Sequence, residues 1–242
     1  MSGHSHWAGI KHKKEANDKK RAQVFAKAAR LITVAARVGG GDVNMNATLR
    51  TAIEKARSLN MPKDNIDRAI KKGVGGIDGE QFEETTMEAY GPAGTALLIK
   101  VITDNKNRTL ADVRHVLNQH QGKIAEGGSV QWLFDRTIVF SLQLPAGQSK
   151  DDFELSVIDA GATDTEWDED TLFAYCAPDH AETLRVNLEK QGVIIQSSEL
   201  EMRAKTETAV DTPTEEQLRK LLEALDDLDD VQSVYSNVAF TE

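Results

Sequence analysis

The sequence contains little cysteine, few aromatic residues and no long apolar run. Its 242 residues include one cysteine, Cys176, which excludes an internal disulfide and a thiolate metal cage. No apolar stretch approaches the roughly 18 to 20 residues that span a bilayer. The first 30 residues are charged, so we expect neither a membrane span nor a signal peptide. A single thiol without an export signal indicates a cytoplasmic location.

The net charge is distributed unevenly along the chain. A formal charge of −10 on the whole protein would by itself argue against a nucleic-acid partner. Residues 1–75, however, carry 16 Lys and Arg against 6 Asp and Glu, a balance of +10. Residues 76–242 carry 13 against 33, a balance of −20. A basic head on an acidic body indicates that a polyanion binds at the head.

Hydrophobic periodicity predicts three helices in the head. In the first helix, Phe25 and Ile32 belong to an apolar stripe with helical spacing, and Lys27 and Arg30 fall on the opposite arc. We expect that arc to face solvent or phosphate. The glycines between residues 73 and 79 indicate a linker. The predicted helices cover residues 16–38, 46–59 and 62–72.

After the linker, two-residue alternation and continuous β runs replace the helical period. Strands predicted in the first part include one over residues 130–134. Residues 136–205 have the order β-α-β-β-α-β, which is the ferredoxin-like split unit. One more helix and strand follow, and because this pair is too small to fold alone, we expect it to complete the sheet begun earlier. The predicted domains are residues 1–79, residues 80–135 with 206–242, and an inserted domain of residues 136–205.

The predicted fold class is therefore α+β, with an N-terminal three-helix domain followed by two ferredoxin-like α+β domains, one inserted in the other. Cys176 lies in an apolar predicted strand, which favours core packing over nucleophilic chemistry. The sequence shows no Ser/His/Asp arrangement and no carboxylate pair that indicates catalysis. We therefore predict neither an enzyme nor a cofactor.

The N-terminal arm combines cations, imidazoles and one tryptophan without an apolar repeat. Such an arm can track a phosphate backbone, with Trp7 stacked on an unpaired base or packed in a groove. The alternative is a solvated tail whose Trp7 docks onto the head. The histidines have no cysteine partners for a zinc site, so no metal is predicted. The predicted nucleic-acid-binding residues are His4, Trp7, Lys11, His12, Lys13, Lys14, Lys19, Lys20, Arg21, Lys27, Arg30, Arg50, Arg57, Lys71 and Lys72.

Two charged segments of the body stand apart from the rest. Residues 100–123 have a balance of +3, which makes Lys106, Arg108 and Arg114 a candidate second contact with a polyanion. The alternative is that this segment only caps a helix. The aspartates at positions 226, 227, 229 and 230 lie at the end of the last predicted helix, where the helix dipole disfavours negative charge. Sequence alone gives them no role beyond repelling misplaced nucleic acid.

Short motifs occur in order along the whole chain. They are Gly3-His4-Ser5 with Trp7, Ile10-Lys11-His12, Asp18 with Arg21, Phe25 with Lys27, Gly39-Gly40-Gly41-Asp42, Leu49-Arg50, Asn60-Met61-Pro62, Ala69-Ile70, Tyr90-Gly91-Pro92, Thr103-Asp104-Asn105, Asn107-Arg108-Thr109, Gly128-Ser129-Val130, Asp229-Asp230-Val231-Gln232 and Val234-Tyr235-Ser236-Asn237. With these motifs the sequence resembles the YebC/PmpR family over essentially its whole length. It differs at His6, where the family usually has lysine, and at Ala22-Gln23, which replace a small residue followed by a basic one.

The resemblance implies a helical N-terminal domain followed by two α+β domains. It also implies a DNA-binding transcriptional regulator, since members are commonly described so. Related members, including mitochondrial translational activators, act instead at the ribosome and relieve stalling, so ribosomal RNA is an alternative target. The family has no established catalytic residues. A protein-interaction module, with proteins of the transcription or translation machinery as partners, is a further alternative; no membrane partner is expected.

Overall fold

The structure is a computed structural model that describes residues 18–75 and 82–240. The described residues form two compact units, one of residues 18–75 and 82–134 with 204–240 and one of residues 135–203. The helical head and the first sheet belong to the same unit. The predicted fold class is confirmed, because a helical N-terminal region is followed by α+β structure with two four-stranded antiparallel sheets. The division into three domains stays a prediction.

Three helices make up the head, and one asparagine joins two of them. The Asn46 side-chain amide donates to the carbonyls of Ala35 and Gly40 at 2.9 and 2.8 Å. Its oxygen accepts the Leu49 N–H at 3.0 Å, so one buried side chain caps the end of the first helix and the start of the second. The helices are α1 (Asp18–Gly39), α2 (Ala47–Ser58) and α3 (Lys63–Val74).

Gly73 lies inside α3. The prediction from the sequence that it belongs to a linker is therefore wrong. A Cβ at this position would be 2.5 Å from the Thr33 carbonyl oxygen and 2.7 Å from the Ala36 Cβ, both on α1. The glycine therefore permits a close approach between the two helices. Residues 76–81, which contain the rest of the predicted linker, lie outside the described residues.

The first sheet has the strand order β3-β1-β2-β8. Strand β2 is its most buried strand, and β8 pairs with it antiparallel. Helices α4 and α7 contact one another and the sheet strands. The predicted strand over residues 130–134 is wrong, since a short 3-10 turn, Gln131–Leu133, stands there instead. The elements are β1 (Glu83–Tyr90), β2 (Ala96–Thr103), α4 (Lys106–Gln119), β3 (Lys123–Ile124), α7 (Thr212–Asp226) and β8 (Val231–Ser236).

The second sheet has the order β5-β6-β4-β7, as the predicted β-α-β-β-α-β unit requires. Phe140, Leu172 and Cys176 are fully or almost fully buried in its core. The prediction of core packing for Cys176 is confirmed, and burial raises the pKa of its thiol. The elements are β4 (Phe134–Gln143), α5 (Lys150–Asp159), β5 (Asp164–Asp168), β6 (Thr171–Cys176), α6 (Ala181–Lys190) and β7 (Ile195–Ala204).

Candidate nucleic-acid interface

The middle of the cationic side of α1 faces the acidic end of α7. The Lys27 Nζ lies 3.2 Å from a carboxylate oxygen of Asp226. Arg30 lies 2.9 Å from a carboxylate oxygen of Asp230 and also donates to the Asp229 carbonyl. The prediction that this arc faces solvent is therefore wrong for Lys27 and Arg30. Free carbonyls and carboxylates at a helix C-terminus attract cations, and the fold supplies both.

This contact gives the acidic run after α7 a structural role. Asp230 is 7% exposed and accepts hydrogen bonds from the Thr109 hydroxyl at 2.6 Å and from Arg108 at 3.0 Å. Burial raises the pKa of Asp230, but the bonds from Thr109 and Arg108 and the charge of Arg30 lower it, and the pKa lies below its ordinary value. The carboxylate thus joins the helical head to the start of α4.

The basic segment of residues 100–123, the basic island of the body, forms several ion pairs within the protein. Lys106 Nζ lies 2.5 Å from a Glu83 carboxylate oxygen, and Arg108 lies 2.5 Å from Asp104 in addition to the contact just described. The hydrogen bonds that Arg108 donates to the carboxylates of Asp230 and Asp104 raise the pKa of Arg108. Arg114 stands on the exposed side of α4. The three candidate cations of this island therefore differ in their surroundings.

The exposed cations of the head lie mainly on α2 and α3. Arg50 and Arg57 stand one heptad apart on α2, and Lys71 and Lys72 lie in the last turn of α3. All four side chains are exposed, and the Lys72 Nζ lies 5.2 Å from the centre of the Phe82 ring. These predicted site residues remain on the surface of the folded head.

Arg57 also lines an open pocket of about 200 Å³ on the head. The exposed Lys63 lines it as well, and the buried Ile53, Met61 and Ile66 form apolar walls. Apolar walls beside two cations can contact a base and its phosphate together. The remaining lining residues are Val43, Asp67 and Ile70.

The predicted residues of the N-terminal arm lie outside the described residues. Lys19 and Lys20 lie in the first turn of α1, and nothing is described of their side chains. Arg21, the next residue, is exposed, with its guanidinium 5.5 Å from the centre of the Phe25 ring. The arm residues concerned are His4, Trp7, Lys11, His12, Lys13 and Lys14.

Two residues that the sequence reasoning missed occur together in the first α+β region. Glu88 is 8% exposed, and its carboxylate accepts the backbone N–H groups of Gly128, Val130 and Gln131 at 2.5, 2.6 and 3.0 Å. Burial raises the pKa of Glu88, but these bonds lower it, and the pKa lies below its ordinary value. Trp132 follows this loop and is 64% exposed. The sequence feature that could have indicated this loop is the pair Gly127 and Gly128 shortly before Trp132.

The described residues show no metal site and no membrane helix. Within residues 18–75 and 82–240, no group of three or more His, Cys, Asp or Glu side chains is placed to hold a metal ion. In the same part of the chain, no helix is long and apolar enough to cross a membrane.

Family models match nearly the whole chain. A model described as the TACO1/YebC protein N-terminal domain matches residues 5–76, and one described as the TACO1/YebC second and third domain matches residues 82–238. The chain belongs to the TACO1/YebC family. Among its relatives, a probable transcriptional regulatory protein of Desulfosudis oleivorans is 44% identical over 242 residues, covering 100% of this chain and 98% of the relative. One of Kosmotoga olearia with the same name is 46% identical over 237 residues, covering 98% and 94%.

A solved structure of similar fold is the crystal structure of a conserved hypothetical protein from Aquifex aeolicus. It superimposes with a TM-score of 0.89 at 41% identity and covers 98% of each chain. The match extends the family relationship from sequence to the fold of the whole TACO1/YebC chain.

Two motifs that carry the resemblance meet inside this TACO1/YebC protein. Thr103 and Thr109 belong to the motifs around the start of α4, and Asp230 belongs to the closing motif. The hydroxyls of Thr103 and Thr109 lie 3.3 and 2.6 Å from the same Asp230 oxygen. These motif residues therefore stabilise the joint between the head and the first sheet.

Proposed function

We propose that this protein is a non-enzymatic, nucleic-acid-binding regulator of gene expression that contacts phosphates through its helical head. One observation carries the proposal: Arg50, Arg57 and Lys71 are exposed in the same unit in which Lys27 and Arg30 are paired with carboxylates. The balance of +10 in residues 1–75 supports it. The name that the relatives share, probable transcriptional regulatory protein, favours DNA as the target.

Ribosomal RNA is the second candidate target. The exposed Asp64 in the first turn of α3 would repel duplex phosphates if this end of the helix entered a major groove. The pocket beside Arg57 instead favours a base that is already unpaired, as in RNA loops. Ribosome co-sedimentation and genomic footprinting from the same extract would distinguish the two targets. Occupancy of ribosomes without genomic sites favours translation, and the reverse favours transcription.

A salt titration of binding tests the electrostatic part of the proposal. The full-length chain is titrated against a labelled DNA duplex and against a labelled single-stranded RNA at several salt concentrations. If the head neutralises about five phosphates, the log–log slope is about −4 to −5 on duplex DNA and about −3 to −4 on single strands. Binding without salt dependence would contradict the proposal.

Matched variants locate the contact on the head. Arg50→Gln with Arg57→Gln removes two exposed cations of α2, and we expect the duplex slope to fall in magnitude by about 2. The control is Lys190→Gln with Lys220→Gln, which removes the same charge from exposed positions on α6 and α7. If both pairs reduce the slope equally, only the net charge matters and the head is not the site.

A protein-interaction module remains the competing class of function. Partners captured from an extract by the full-length chain are compared before and after nuclease treatment. A nucleic-acid-binding protein should release them when the nucleic acid is destroyed, whereas a protein-interaction module should retain them.

A further inference from the structure

Trp132 is unusual among the apolar side chains of its region. It is 64% exposed, and among the described residues of 82–134 and 204–240 no other large hydrophobic side chain is exposed to this extent. A tryptophan contributes more to stability when buried than almost any other residue. Folding alone therefore does not explain its position on the surface.

The loop before Trp132 is held firmly by the rest of the domain. Glu88 lies on β1 and accepts three backbone N–H groups of the loop, including that of Gly128, whose φ of +85° suits glycine. The Leu133 N–H donates to the Val130 carbonyl at 2.9 Å and closes the 3-10 turn. The backbone that carries the indole is thus ordered before any partner arrives, which lowers the entropy cost of binding.

The indole itself has one orienting hydrogen bond. Trp132 Nε1 donates to the Ser129 carbonyl at 3.0 Å, so the polar atom of the ring is already used inside the protein. A Cβ built at Gly127 or Gly128 would have no heavy atom within 4 Å, so the loop beside the ring is uncovered. A partner would therefore contact the face of the ring and not its N–H.

The surroundings distinguish between two kinds of partner. A protein interface is centred on a cluster of packed apolar side chains, and no exposed apolar neighbour from this region accompanies Trp132. A single flat aromatic ring suits an unpaired base, because every base has a planar face. The Lys205 N–H donates to the Leu133 carbonyl at 2.8 Å, which places a cationic residue next to the turn.

We propose that Trp132 is a stacking platform for an unpaired nucleic-acid base, separate from the phosphate contacts of the head. The inference rests on the proposed function, since it names a second contact with the same class of partner. It predicts a preference for single-stranded segments over a fully paired duplex.

Tryptophan fluorescence tests the stacking directly. In the full-length chain, Trp7→Phe and Trp167→Phe leave Trp132 as the single tryptophan. The probe is a single-stranded oligoribonucleotide of about 12 nucleotides, within the usual site size, and the same sequence as a duplex. We expect the single strand to quench the Trp132 emission and the duplex to leave it nearly unchanged. Equal quenching by both probes, or none by either while binding is seen, would overturn the inference.

Affinity measurements separate stacking from charge and from misfolding. Trp132→Phe keeps a planar ring and should stay close to the parent, whereas Trp132→Leu keeps apolar bulk only and should bind the single strand about 5- to 150-fold more weakly. The salt slope should not change in either variant. The control is Ile194→Ala, another exposed apolar residue, at 67% exposure. Circular dichroism verifies folding.

The outcomes distinguish this inference from the proposed function. If the parent binds with a steep salt dependence and Trp132→Leu binds equally well, the stacking platform is wrong and the head contact stands. If Trp132→Leu loses salt slope as well as affinity, Trp132 acts on phosphate contacts and not by stacking. If the parent binds neither probe, the proposed function itself fails.

Discussion

Helix α1 and the pair α2 and α3 both carry cations at helical spacing, but the fold gives them different neighbours. Lys27 and Arg30 of α1 contact carboxylates and carbonyls that lie about 200 residues later in the chain. Arg50 and Arg57 of α2 stay exposed. The difference is not in the cations but in what the fold places opposite them. Cations at helical spacing therefore become binding candidates only after their intramolecular partners are known.

Removal of the Asp230 carboxylate should have the largest effect on stability, because this carboxylate contacts a cation of α1. In Asp230→Ala, the Thr109 hydroxyl loses its shortest hydrogen bond, and Arg30 and Arg108 lose a carboxylate partner, so we expect the free energy of unfolding to fall by about 2 to 4 kcal/mol. Urea unfolding at pH 7 measures this change. The control is Asp227→Ala in the same acidic run, where the side chain is exposed and the expected change is within about 0.5 kcal/mol. Equal losses in both variants would mean that only the charge of the run matters.

The packing of α1 against α3 is tested at Gly73, where the two helices lie close together. Gly73→Ala places a methyl group 2.5 Å from the Thr33 carbonyl oxygen, so the helices must separate. We expect a loss of about 1 to 3 kcal/mol in the free energy of unfolding. Gly127→Ala is the control, because a Cβ there meets no heavy atom within 4 Å. A neutral Gly73→Ala would show that α1 tolerates displacement from α3.

The same substitution at two cations of the head should affect different properties, stability at Lys27 and nucleic-acid binding at Arg57. Lys27→Met removes the charge that binds the end of α7, from a side chain that is 11% exposed, and should cost about 1 to 2 kcal/mol of stability. Arg57→Met should change stability by less than about 0.5 kcal/mol but weaken nucleic-acid binding. Urea unfolding and the salt titration, run on both variants, measure the two effects. The reverse pattern would place the phosphate contact on α1.

Much of the fold was predictable because its signals are local. The helix pattern of the head, the split β-α-β-β-α-β order and the burial of Cys176 follow from periodicity and composition. Strand β3 was missed, since two residues leave no alternation to detect. Gly73 was misassigned because a glycine in a close helix crossing and one in a linker are identical in sequence.

The candidate site was harder to predict, since its geometry depends on distant pairs. No local pattern links Arg30 to Asp230 or Glu88 to the loop before Trp132. The acidic run after α7 was unexplained when considered against its own helix dipole alone. It is accounted for once α1 supplies cations to the same helix end. The sequence thus shows which residues carry charge, and the fold determines which of them form ion pairs.

The pH dependence of stability should give the smallest but most selective test. The folded pKa of Asp230 lies below its ordinary value of 3.8, so the carboxylate form is favoured by folding. Its contribution to stability is fully present above the unfolded pKa and is lost as the pH falls through the folded pKa. The stability deficit of Asp230→Ala relative to the parent should therefore be constant from pH 7 to about 5 and shrink below the ordinary pKa. Urea unfolding of both proteins across this range provides the measurement. A deficit that already shrinks between pH 7 and 5 would show that another titrating group, and not this carboxylate, holds the cations of α1.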